Sequence, residues 1–168
     1  MSRELGVAVM IALAVVILGL MAWGWRRRMA RDRGFTVPLG VPEHAEVRLR
    51  EPVFYVATTR IDEPLERLAL RGLSFRAHGE AALTDRGLAL SLDGSPTVFI
   101  EAAALVSVDR ATVAIDKAVE PGGLVRVRWR IADDTPVDSF LRLTGGDAAG
   151  FIAALEPLCQ SQPSGAAA

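Results

Sequence analysis

Two kinds of hydrophobic pattern divide the chain. Residues 5–25 are apolar or small throughout, with no charge and no proline, whereas beyond residue 50 apolar positions come in short runs broken by Gly, Pro and Asp. The first pattern predicts a helix. At 1.5 Å of rise per residue it spans about 31 Å, matching the roughly 30 Å hydrocarbon layer of a bilayer. An uninterrupted helix bonds every backbone group within itself, which a bilayer span requires. A core helix of a globular protein would show a polar stripe, and this stretch has none. A cleaved signal peptide is the rival, because Ala22-Trp23-Gly24 has small-x-small spacing. The apolar run is longer than the ~7–15 residues of such a segment, and the arginines directly behind it oppose translocation. The reading adopted is an uncleaved anchor over 5–25, preceded by a short flank, 1–4.

Residues 26–50 read as a basic juxtamembrane segment and linker. Gly34, Pro38, Gly40 and Pro42 punctuate them and no hydrophobic period persists. After Pro52 the run 53–59 is rich in β-branched and aromatic residues and predicts a strand. The charged segment 60–71 contains Leu65, Leu68 and Leu70, which predict one short helical turn. From Phe75 to Leu83 the chain alternates, with Ala77, Gly79, Ala81 and Leu83 on one face and Arg76, His78 and Glu80 on the other. Asp85-Arg86-Gly87 turns it into a strand whose inward residues are Leu88, Leu90 and Leu92.

A further turn at 93–96 leads into strand 98–100, and the alanine-rich 101–104 predicts a helical turn. Strand 105–112 follows; 113–120 either extends it or opens a hairpin arm, until Pro121-Gly122-Gly123 breaks the chain. The clearest strand comes next. Val125, Val127, Trp129 and Ile131 alternate with Arg126, Arg128 and Arg130, which places the apolar set on a core and the arginines outside. After the turn at 133–136, residues 137–143 form a last strand with Leu141 and Leu143 inward. Thr144 and Asp147 have the spacing of a capping box, and Phe151, Ile152, Leu155 and Leu158 recur at helical spacing. Residues 159–168 carry no ordering signal.

These elements predict an N-terminal transmembrane helix followed by an α+β, mainly-β domain over 51–158. About seven antiparallel strands form two packed sheets, and the C-terminal helix caps their open end. The pattern resembles the pleckstrin-homology (PH)-like architecture. More narrowly, residues 88–92, the Pro-x-x-Phe-Ile of 96–100, and Gly122-Gly123-Leu124 running into Val127-Arg128-Trp129-Arg130 are similar to a family of small actinobacterial single-pass membrane proteins carrying a bacterial PH-like domain. Its members are often labelled as export, transporter or membrane proteins. The resemblance implies a binding module and supplies no catalytic or ligand-binding residues.

Charge adds the orientation. The net charge of −1 hides an asymmetry: residues 1–33 carry +4 and the remainder −5. Arg26, Arg27, Arg28, Arg31 and Arg33 follow the span and only Arg3 precedes it, so the domain is expected on the cytosolic face of the plasma membrane with Met1 outside. Trp23 and Trp25 stand at headgroup depth on the arginine side. An acidic domain argues against general nucleic-acid binding. Cys159 is the only cysteine, which excludes an intramolecular disulfide. Glu43, His44 and Glu46 match no metal-ligand spacing, and no Gly-rich loop opens a helix after a strand. His44 and His78 have no Ser or Cys partner in a nucleophile motif, and Asp62-Glu63 and Asp133-Asp134 read as loop residues. No catalytic residue, metal or cofactor is expected, and the chain is not read as an enzyme.

Three constellations are candidate interaction features. Arg126, Arg128 and Arg130 offer a candidate binding surface for phosphate or an acidic strip; the alternative is a solvated face or cross-strand pairing with Asp109 or Asp138. If the face is solvated, replacing all three by Gln leaves stability unchanged. Arg60, Arg67, Arg71 and Arg76 flank the loop after the first strand, where Asp62, Glu63 and Glu66 cancel much of their field. Ala8 and Ala12 have small-xxx-small spacing, which an alanine-rich helix shows by chance, so the oligomeric state stays open. The partners expected are the bilayer, through 5–25, and a protein of unknown identity, with no nucleic acid. The expected function is a membrane-anchored, non-enzymatic module that recruits this partner. The alternatives are a lipid-headgroup or anionic-ligand binder and an accessory subunit of a transport or export system, since a lone span cannot enclose a solute path.

Overall fold

In the computed structural model the described residues are 3–32, 37–61, 63, 66–111, 113–114, 117–118, 123–131 and 134–160. Several expectations lie outside them: Arg33, Asp62, Leu65, Pro121, Gly122, Asp133, residues 161–168, and the side chains of Arg28 and Arg31. The chain divides into two compact units, Met1–Gly34 and Phe35–Ala168. The first is helix α1 (Arg3–Asp32), within which Gly6–Arg27 has a mean hydropathy of 2.6, long and apolar enough to cross a membrane. Side chains from Val7 to Arg27 are exposed. The Arg27 guanidinium lies 5.8 Å from the Trp23 ring, four residues earlier, an attraction between cation and π-face.

The second unit is built on one antiparallel sheet. Its strands are β1 (Val47–Arg60), β2 (Ala77–Thr84), β3 (Gly87–Leu92), β4 (Val98–Glu101), β5 (Leu105–Ala111), β8 (Leu124–Arg130) and β9 (Pro136–Leu143). The two-residue arms β6 (Val113–Ala114) and β7 (Lys117–Ala118) pair with each other between β5 and β8. In the large sheet the order is β4-β3-β2-β1-β9-β8-β5. The expected two packed sheets are therefore one hydrogen-bonded sheet. The cause is β1, which pairs β2 through residues 47–55 and β9 through residues 53–60, so both halves share one strand. The outermost strands are joined only by the 3₁₀ turn Ala102–Ala104, which draws the two edges together at one corner. Apolar side chains from both halves then share one core: Val53, Tyr55, Leu83, Leu88, Leu90 and Ile100 with Val125, Val127, Trp129 and Leu141.

Two irregularities decide which side chains face inward. A bulge at Val56 separates Tyr55↔Leu141 from Ala57↔Phe140. One extra residue reverses the facing of everything after it, so Tyr55 and Thr58, three apart, both point to the core. Pro52 stands inside β1, which begins five residues ahead of it at Val47. No ladder bond is lost, because Pro52 faces the chain just past the end of β9. There the Thr144 N–H and hydroxyl both donate to its carbonyl, at 2.9 and 3.1 Å.

Segment 37–40, expected as linker, pairs along the outer side of β4. Leu39 forms a bridge with Val98, the Phe99 N–H donates to Pro38 O, and the Gly40 N–H donates to Thr97 O. Among the described residues, 66–70 form no helical turn. The Leu68 N–H donates to Thr58 O and Arg67 bridges Thr59, so these amides bond β1 instead of a local turn, while Leu68 and Leu70 are buried.

Helix α2 (Ala148–Gln160) packs against β5, the 3₁₀ turn, β1 and β8, burying Phe151 and Leu155. The expected capping box is replaced by a simpler cap. Asp147 accepts the Gly150 N–H at 2.8 Å and starts the helix, while Thr144 is engaged by Pro52. Cys159 is half-buried on this helix, and burial together with the nearby Glu156 carboxylate raises its thiol pKa, which keeps it protonated and slow as a nucleophile.

Candidate binding surfaces of the soluble unit

The arginine row lies on the outer face of β8, as its alternation requires, but its charges are engaged. Register sets Arg126 between Asp109 on β5 and Phe140 on β9, and Arg128 between Ser107 and Asp138. Arg126 donates through Nε and Nη2 to the two oxygens of Asp109, at 2.9 and 2.8 Å. Arg128 grips Asp138 in the same forked manner, at 2.8 and 3.0 Å, and Arg126 Nη1 stands 3.9 Å from that carboxylate. Arg130, at the open end of the row, reaches Asp134 at 3.1 Å. The result is an acid–base ladder across three strands, with Asp138 only 6% exposed at its centre. Bonding to Asp138 also raises the pKa of Arg128 further. Such a ladder holds strands in register and leaves little uncompensated charge for an anion.

The ladder changes the expected outcome of substitution. Arg130→Gln should leave stability within ~0.5 kcal/mol, since its pair is exposed. Arg128→Gln strips a nearly buried carboxylate of its main partner and should cost about 1–3 kcal/mol. Urea denaturation of the two single variants reads the difference, and equal losses would mean that Asp138 is not the centre of the ladder.

The second arginine set is dispersed by the fold. Arg67 donates to Val56 O, Arg60 stands 3.7 Å from Glu63, and Arg71 is exposed in the turn 71–72. Gly72 fixes this turn: its φ is +87°, and a Cβ there would lie 2.6 Å from Val98 Cγ2. Just beyond it Phe75, expected to open a strand, is instead 79% exposed, because β2 begins at Ala77. Sequence pattern missed this aromatic, since it sits in phase with the alternation that follows.

The molecule also carries a cleft of about 410 Å³, lined by Val37, Pro38, Phe99, Ala104, Trp129 and Ile131, with Glu101 and Arg130 at its rim. These residues come from three distant segments that only the closed sheet brings together, so no local signal marks them. On the outer face of β1, the Phe54 and His78 rings lie 4.7 Å apart beside Arg142 in a shallow depression. Among the described residues no group of three or more His, Cys, Asp or Glu is placed to hold a metal ion. The arrangement offers surfaces, an open strand edge and a small cleft, all features of recognition.

Comparison with known proteins places this geometry. A family model described as "Bacterial PH domain-like" matches residues 36–153, most of the second unit and more than half of the chain. No curated protein and no solved structure matches the chain. PH-like domains are binding modules and are generally non-catalytic. With the match beginning at the β4-paired segment and ending inside α2, the chain belongs to the bacterial PH domain-like family.

Proposed function

We propose that this chain is a membrane-anchored, non-enzymatic module whose PH-like domain recruits a protein partner at the cytosolic face of the plasma membrane. The observation that carries the reading is the pairing of one exposed apolar helix, Gly6–Arg27, with a domain of a binding family. The orientation rests on the cluster Arg26, Arg27, Arg28, Arg31 and Arg33 behind the span. The single membrane pass, the plasma membrane and the actinobacterial resemblance belong to the same reading.

Two measurements test it. An alkaline-phosphatase fusion at Ala168 should be inactive, and replacing Arg26, Arg27 and Arg28 together should raise its activity. A fusion active in the unmodified chain would overturn the orientation. Capture of the full chain from detergent extracts should return the same protein partner when the span is replaced by an unrelated one. Loss of capture on that exchange would assign recognition to the span and not to the domain.

A second reading, binding of lipid headgroups or another anionic ligand, is favoured by one observation. Exposed Arg71 and Phe75 share a loop held against β4, pairing a cation with an apolar ring. Flotation of the full chain is uninformative because of its anchor. The domain's own affinity is instead read by quenching of a fluorophore placed at Phe75 by brominated anionic lipids in nanodiscs.

A further inference from the structure

The two edges of the sheet are treated differently. The β4 edge is covered by the chain itself, through the bonds of Pro38, Leu39 and Gly40. At the other edge β5 pairs only with β8, and no described residue forms a backbone bond to its outer side. After a bulge at Val106, residues 107–111 run in regular register with β8. Alternate residues there point N–H and C=O groups away from the sheet, a ready template for another strand.

We propose that the free edge of β5 is a docking strand, to which an extended segment of a protein partner bearing an acidic residue adds as a further strand beside α2. The proposal rests on the protein-recruiting reading above and names the surface that would perform it. Charge selects the occupant. Asp109, on the outer face, is already held by Arg126. Arg110 shares the inner face with Val108, is exposed at the mouth beside the start of α2, and lines one depression with Arg142 and with Asp147, whose carboxylate is taken up by the Gly150 N–H at the helix cap. A cross-strand neighbour of Arg110 is therefore best acidic, and the residue two positions away, opposite Val108, best apolar. A second copy of the chain fits less well. Antiparallel self-pairing about Asp109 opposes like charges, and pairing about Val108 leaves Arg110 against Val106.

Hydrogen exchange on the full chain in nanodiscs tests this, using a capped seven-residue peptide that alternates valine and glutamate between threonines. The outward amides of residues 107–111 should exchange at least tenfold more slowly with millimolar peptide. The same peptide with lysine for glutamate, or with alternate amides N-methylated, should give no protection, and Arg110→Glu should reverse the charge preference. Absence of slowing in β5, slowing indifferent to charge or N-methylation, or slowing produced by raising the protein concentration alone would each overturn the proposal. A captured partner whose binding survives Arg110→Glu and leaves β5 exchange unchanged would sink the docking strand while the recruiting function stands. Failure to capture any partner would sink that function.

Discussion

A chain ending at Thr144 is expected to lose the cooperative melting of its soluble unit. Helix α2 is joined to the sheet by burial more than by backbone bonds, and two side chains carry that burial: Phe151 at 1% and Leu155 at 0% exposure. They enter the same core as Trp129 and Leu105, against β5 and β8. Removing buried groups of this size costs roughly 2–5 kcal/mol each, against a total of ~5–15 kcal/mol for a whole domain. The strands would also have their core opened to water at the mouth α2 closes. Near-ultraviolet dichroism in a chain with Trp23 and Trp25 replaced by Leu follows Trp129 through the transition without an indole contribution from α1. Leu155→Ala supplies the graded control, expected to melt lower but still cooperatively. Melting of the truncated chain near the intact temperature would show that the sheet closes its own core, and that α2 is an attachment rather than a plug.

The helix was legible in the sequence because its stripe has only one physical use, and the same holds for β8. Strict alternation of Val125, Val127 and Trp129 with arginines reports a strand with one dry face wherever its partners lie. Partner choice carries no such signature. Nothing local in residues 47–60 announces that one half of β1 pairs β2 and the other β9, so one bent sheet reads like two. Pro52 looked like a boundary because proline removes a donor; it is tolerated inside β1 because its side of the strand faces past the end of β9. The bulge at Val56 defeats any period by turning Thr58 inward after Tyr55. Among the candidate surfaces, the arginine row was visible from alternation alone. Its pairing with Asp109 or Asp138 stands in the sequence only as one alternative, because these carboxylates meet it through the registers of β5 and β9. The free edge of β5 follows from strand order, which a single sequence does not encode locally.

Trp129 should be the most costly single position in the core, with Trp129→Ala losing about 3–5 kcal/mol. Its ring is 1% exposed, and its Nε1–H donates to Ser139 Oγ at 2.9 Å. Ser139 Oγ lies 2.7 Å from Thr58 Oγ1, which stands 2.9 Å from the Tyr55 hydroxyl, and that hydroxyl donates its proton to Leu73 O at 2.8 Å. Three strands and the loop before β2 are thus tied by one buried chain of hydrogen bonds. Each member depends on its neighbours, since a buried donor left without an acceptor forfeits its hydration with nothing in return. Ser139→Ala should therefore cost about 1–3 kcal/mol although it removes one oxygen, because it strands the indole N–H. The chain also predicts a pH dependence. Burial raises the Tyr55 hydroxyl pKa well above its ordinary value, so the unfolded state ionises first as pH rises. The stabilising contribution is complete below about pH 10, the ordinary tyrosine value, and is lost progressively above it. Tyr55→Phe should remove that alkaline slope while lowering stability at neutral pH. Urea denaturation across pH, read on the four residues in turn, checks all of this. Full stability in Trp129→Ala with impaired partner binding would instead put the indole on the outer face and the arginines inside, reversing the facing of β8.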